Sequence, residues 1–162
     1  MLAYRSDGCH FREYIEQVDL WSPLTLEQRD ALLSHTRFMR YEKGTSVYRG
    51  PLAQAGTLHI ISGSLRVYIL SEEGREFTLY FLRDGDLSFL ASTAALGTIS
   101  CDIAIVAAKN TELFISDTEV VRNILDANVE VRAAVYERMV VRLSELLWKA
   151  QQMLFTSADQ RL

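Results

Sequence analysis

The stretch "HIISGSLRVYILSEEGREFTLYFLRDGD", His59 to Asp86, decides the fold. Three glycine-containing turn signals, Ser62-Gly63-Ser64, Glu72-Glu73-Gly74 and Asp84-Gly85-Asp86, bracket two runs rich in β-branched and aromatic residues. In "SLRVYIL", Leu65, Val67 and Ile69 alternate with Arg66 and Tyr68, the period of a strand with one buried face. In "EFTLYFL", Phe77, Leu79 and Phe81 alternate with Thr78 and Tyr80. That strand is apolar or aromatic on both faces, which predicts a core on one side and a cavity or neighbour on the other.

Working outward, the same texture extends from Thr36 to about Ser116, with Lys43-Gly44 as a further turn. Turn signals roughly every 10 to 20 residues predict an antiparallel sandwich or barrel. Upstream, Phe11, Tyr14, Ile15 and Val18 fall at i, i+3, i+4 and i+7, one face of a helix. Thr25 and Gln28 have the form of a capping box opening a second short helix through Leu32 and Leu33. Downstream, Ser116 and Glu119 form another such box, ahead of a short helix with Val120, Val121, Ile124 and Leu125 on its apolar face.

A longer helix follows. Val129, Ala133, Tyr136, Val140, Leu143, Leu147, Ala150 and Leu154 are separated by 4, 3, 4, 3, 4, 3 and 4 residues, an unbroken a/d heptad register. Val135, Met139, Leu146 and Met153 form a second stripe. One face can therefore cover the β domain while the other meets a second copy, which predicts a homodimer joined along this helix. In "TSADQRL", Ser157 or Asp159 reads as a new helix cap, so residues 157–162 read as the cut beginning of another domain. The organisation expected is residues 1–126 as N-terminal helices plus β domain, 127–156 as the dimerisation helix, and 157–162 as that beginning.

Composition narrows the function. A chain of 162 residues is long enough for one well-buried core and too short for two full domains. The net charge of −4 argues against nucleic-acid binding by this chain itself, because phosphate neutralisation needs clustered Lys and Arg. No apolar run reaches the roughly 18 to 20 residues of a membrane span, and no basic-then-apolar leader is present, so a cytoplasmic protein is expected. Two cysteines far apart, Cys9 and Cys101, fit a reducing compartment.

A β roll preceded by short helices and followed by a short and then a long heptad helix resembles the sensor half of the Crp/Fnr family of bacterial transcription regulators. The resemblance rests on that order and on "YEKGTSVYRG" (Tyr41 to Gly50), His59 to Asp86, and "IAIVAAKNTELFIS" (Ile103 to Ser116). It implies a mainly β protein with flanking helices: an antiparallel β roll (double-stranded β-helix, or jelly roll) followed by a long C-terminal dimerisation helix. It also implies a homodimer, an effector held in the roll against that helix, and DNA contact only through a helix-turn-helix domain after Leu162.

In family members that bind cyclic nucleotides, a Gly-Glu pair holds the ribose and an Arg pairs with the cyclic phosphate. Here Phe89-Leu90 and Asp102, next to Cys101, fall at those places. Between Gly85 and Ala108 there is no lysine, arginine or histidine at all. A phosphate would lose a charge-assisted bond and face an acid instead. The pocket implied by the resemblance, with Phe89, Leu90, Ser92, Thr93, Cys101 and Asp102 as candidate contacts, suits a small neutral or largely apolar effector rather than cAMP. The alternative is a ligand-free interaction module whose interior Phe89, Leu90 and Leu96 fill themselves.

Other chemistries find less support. Haem occurs in the family, and Cys9, His10, His35, His59 and Cys101 are the candidate ligands, but none are paired at helical or hairpin spacing. The iron-sulfur branch uses an N-terminal cysteine cluster that Cys9 alone does not supply. A cupin-like metal-dependent enzyme needs two His one residue apart with an acid shortly after, and His59 has no such neighbours. No nucleophile elbow, Walker loop or dinucleotide fingerprint is present, so no enzyme is expected.

Overall fold

The computed structural model describes residues 9–51, 54–71, 73–88 and 102–159. Helix α1 (Cys9–Gln17), a single 3-10 turn (Asp19–Trp21) and α2 (Leu26–Ser34) lead into eight strands. These are β1 (Thr36–Tyr41), β2 (Ser46–Pro51), β3 (Thr57–Ser62), β4 (Ser64–Leu70), β5 (Glu76–Arg83), β6 (Leu87–Ser88), β7 (Asp102–Ala107) and β8 (Thr111–Ser116). Helices α3 (Thr118–Ala127) and α4 (Val129–Asp159) close the description. No helix among the described residues is long and apolar enough to cross a membrane.

The strands form two four-stranded sheets, in the orders β1-β8-β3-β6 and β2-β7-β4-β5, with every described pairing antiparallel. This is the β roll with flanking helices expected from the sequence. Leu58, Ile60, Leu65, Val67, Leu82, Ile103, Ile105 and Leu113 fill the space between the sheets. A second core lies outside the β3–β8 pair, where Phe11, Ile15, Trp21, Leu32, Val121, Ile124, Val131 and Val135 gather around Phe114. The central strand β3 thus faces apolar material on both sides, Leu58 and Ile60 inward and His59 toward the helices.

Strand β5 departs from simple alternation. Val67 pairs with Tyr80 but Tyr68 pairs with Thr78, leaving Leu79 in a bulge. The bulge breaks the two-residue phase, so Phe77, Leu79 and Phe81 do not share one face. Tyr80 and Leu82 enter the inter-sheet core, while Phe77 and Phe81 are exposed.

The capping box at α2 forms as expected: Thr25 Oγ1 accepts from Gln28 N at 3.2 Å, and Gln28 Oε1 accepts from Thr25 N at 3.1 Å. Ser116, however, is not a helix cap. It is the last residue of β8, fully buried and paired in register with Thr36 and Thr57, so the core takes its hydroxyl. The exposed neighbour Asp117 caps α3 instead, its carboxylate accepting from Glu119 N at 2.8 Å. Likewise, Ser157 and Asp159 lie within α4 rather than opening a new helix, since no Gly or Pro interrupts the run.

Asn128 separates α3 from α4. Its extended backbone (φ −123°, ψ 101°) ends one helix, and its side-chain oxygen accepts from Val131 N at 3.1 Å to start the next. The amide nitrogen donates to Pro23 O at 2.9 Å and Gln28 Oε1 at 3.0 Å, tying the hinge to the N-terminal helices. Asn128→Ala removes a cap and leaves two acceptors less well paired. It is expected to cost about 1–2 kcal/mol in urea unfolding. An unchanged midpoint would show that these bonds do not hold the hinge.

Candidate functional site

The segment from Gly85 to Ala108, which has no cationic residue, enters the described structure at its two ends. Leu87 and Ser88 form β6 against Leu58 and His59, and Asp102 opens β7 opposite Pro51. Phe89, Leu90, Ser92, Thr93 and Cys101 lie outside the described residues. Asp102 is exposed at the strand edge near Tyr48. Partial burial and then the Asp102 charge push the Tyr48 phenol up, and its hydroxyl donates to Pro51 O at 2.7 Å.

A cation does reach this region, but from another element. Arg142, on α4, donates through Nη2 to Asp86 Oδ2 at 3.0 Å and through Nη1 to Glu145 Oε2 at 3.0 Å. Its guanidinium also lies 5.6 Å from the centre of the Tyr80 ring. Asp86 is fixed in the β5–β6 turn, where the same Oδ2 accepts from Arg83 N at 2.9 Å. Burial works against the Arg142 charge, yet the Glu145 and Asp86 carboxylates outweigh it and raise the pKa. Burial pushes the Tyr80 phenol well up; a hydrogen bond with Ser88 and the Arg142 charge oppose this without cancelling it. Arg142, Asp86 and Glu145 together carry a net formal charge of −1.

Sequence reasoning missed Arg142 because the cation is 56 residues along the chain from Asp86, the turn residue it meets. A signal was available: Val131, Val135, Met139 and Arg142 are spaced 4, 4 and 3, so Arg142 continues the stripe that faces the roll.

The two stripes on α4 have different fates in the single chain. Val131 and Val135 are buried and Met139 packs partly against the helical core, whereas Val129, Ala133, Tyr136, Val140, Leu143 and Leu147 are exposed. The side chains of Leu146, Ala150, Met153 and Leu154 lie outside those described. Val141 and Trp148, off the heptad seam, are also exposed.

Of the histidines considered as ligands, His35 is at the exposed end of α2 and His59 is fully buried, 3.0 Å from the Ser116 hydroxyl through Nε2. Cys9 and His10 fall at the start of α1, their side chains outside those described. No group of three or more His, Cys, Asp or Glu suited to a metal ion occurs among the described residues.

Neither protein-family profiles nor curated proteins match the chain. Solved structures do. A protein from Eubacterium rectale assigned to the Crp/Fnr family of transcriptional regulators superposes with a TM-score of 0.74 and 33% identity, over 83% of this chain and 62% of that one. The chain therefore spans less than two thirds of that relative. The sensor domain of the transcriptional regulator DNR from Pseudomonas aeruginosa matches with a TM-score of 0.68 and 21% identity, over 86% of this chain and 93% of that one. The catabolite activator protein of Thermus thermophilus matches at 0.59 and 25% identity, over 84% and 63%. With this fold and this degree of identity to the Eubacterium protein, the chain belongs to the Crp/Fnr family and has its cyclic-nucleotide-binding-like β roll.

Proposed function

We propose that this chain is the effector-sensing and dimerising part of a Crp/Fnr-type transcription regulator, answering to a small effector other than cAMP. The observation that carries the reading is the division of labour on α4. One face is built into the core and tied through Arg142 to the β5–β6 turn, while the opposite heptad seam is left exposed for a second copy. A ligand that favours one arrangement of roll and helix thereby shifts the geometry of the dimer, by no more than its difference in affinity for the two arrangements. DNA contact then falls to a helix-turn-helix domain that the acidic roll and α4 do not provide.

The effector class follows from charge. The ribose and phosphate anchors of the cyclic-nucleotide binders are replaced by Phe89-Leu90 and Asp102, and the nearby guanidinium is already engaged by Asp86 and Glu145. A phosphate would enter an environment with acid in excess, so a neutral, largely apolar molecule is the better fit. Calorimetric titration with cAMP and cGMP is expected to give dissociation constants no tighter than millimolar. A micromolar constant for either would overturn this assignment.

A further inference from the structure

His59 has no solvent exposure, and the hydrogen bonds around it fix its protonation. The Thr36 hydroxyl donates to Leu32 O at 2.6 Å, which uses its one proton. The Ser116 hydroxyl, 2.8 Å from Thr36 Oγ1, must then donate to it. Ser116 Oγ is left to accept from His59 Nε2 at 3.0 Å. The imidazole is therefore the Nε2–H tautomer, and Nδ1 is a lone pair with no donor among the described residues.

Among the described residues, the rings packed against the imidazole carry no charge. Phe11 and Tyr14 of α1 meet the imidazole edge-on with ring centres 5.4 and 5.8 Å away, and Trp21 of the 3-10 turn lies tilted at 5.8 Å. Strand β8 contributes Ser116, α2 reaches the relay through the Leu32 carbonyl, and Thr57 precedes His59 by two residues on β3. The neighbouring acids Asp19 and Asp117 are exposed, and Asp117 is turned to the Glu119 N–H.

We propose that His59 is a proton-operated latch: uptake of a solvent proton at Nδ1 releases α1 and the Asp19–Trp21 turn from the roll while the sheets stay folded. This goes beyond the effector reading and does not depend on it. An imidazolium here meets no carboxylate among the described residues, and burial lowers the pKa from 6.5 to about 3. Relief comes most readily by opening the helical side. Strand β3 is hydrogen-bonded on both edges, to β8 and β6, whereas α1 is nine residues held by side-chain packing.

The direction follows from linkage. The closed form keeps the ring neutral and the open form titrates near 6.5, so acid favours opening and a return to neutral pH restores closure. Each pH unit below 6.5 multiplies the open population about tenfold until the closed form itself titrates near 3.

The experiment uses the Trp148→Phe chain, in which Trp21 is the sole tryptophan. Between pH 7 and 4.5, Trp21 emission is expected to shift to the red. Hydrogen exchange of α1 amides, corrected for intrinsic rates, should accelerate about tenfold per pH unit while β3 and β8 stay protected. His59→Gln, which keeps a donor for Ser116 and does not titrate, should abolish both changes. Equal changes in His59→Gln, loss of β3 and β8 protection in step with α1, or a flat response in the parent chain would each overturn the latch. The parent chain supplies an independent readout should the variant fold poorly. At neutral pH, nitrogen NMR should show Nε2 protonated and Nδ1 bare, and the opposite tautomer refutes the relay and the latch with it.

Discussion

The double variant Val140→Glu/Leu147→Glu is expected to sediment as a monomer at micromolar concentrations where the parent chain is dimeric. Both side chains are more than 60% exposed in the single chain and both occupy the same heptad position two turns apart, so neither is needed to hold α4 to its own roll. Fully burying a Val or Leu contributes about 1.5–3 kcal/mol. Four such side chains leave the interface of a symmetric dimer, and like charges face each other in their place. Glutamate is a good helix former, so α4 itself should survive. Val141→Glu is the control, since Val141 is equally exposed but sits off the seam, and it should leave the dimer intact. A parent chain that is monomeric at these concentrations, or a double variant that stays dimeric, would refute the seam.

A second large effect is expected at Gly63, between β3 and β4. Its φ of +99° disfavours any side chain, and a Cβ there would strike the Asn110 carbonyl and come within 2.6 Å of Thr111 Oγ1 and 2.7 Å of Thr111 Cα. Little around it can yield. Gly63 N donates to Asp84 Oδ1 at 2.7 Å, and Thr111 Oγ1 is held by Ser64 N at 3.1 Å. Gly63→Ala combines a left-handed backbone cost of about 1–2 kcal/mol with overpacking of about 1–3 kcal/mol. Gly44 has a similar φ of +87° but nothing within 4 Å of an added Cβ, so Gly44→Ala should incur only the backbone part. Urea unfolding of the two variants separates the contributions. Equal losses would mean that the β3–β4 connection relaxes around the methyl.

Local chemistry made much of this fold legible in the sequence. The glycine turns, the Thr25–Gln28 capping box and the face of α1 each depend on residues a few positions apart, and each occurs as expected. The heptad spacing of α4 was legible for the same reason, because a helix writes its faces into its spacing, and the described seam residues from Val129 to Leu147 are exposed in the single chain. What escaped were relations across the chain. Ser116 has the spacing of a cap, yet strand pairing with Thr36 and Thr57 buries it and turns its hydroxyl to His59. The bulge at Leu79 comes from register with β4 and puts Phe77 and Phe81, which alternate in the sequence as one face, on different faces of β5. Arg142 meets Asp86 only because the inner stripe of α4 continues past its apolar portion. Of the candidate effector contacts, Asp102 alone falls within the described residues, exposed at the start of β7.

The outer part of α4 carries a consequence of its own. From residue 143 to 159 it is a rod of 17 residues, about 26 Å long, whose described side chains from Leu143 to Gln152 are all exposed. A solitary helix of that length is only marginally ordered in water. Without a companion alongside, it is expected to fray from its C-terminal turns back toward the Arg142–Asp86 tie. The number of helical turns standing beyond that tie is then governed by mass action, so that dilution acts on this segment as warming would.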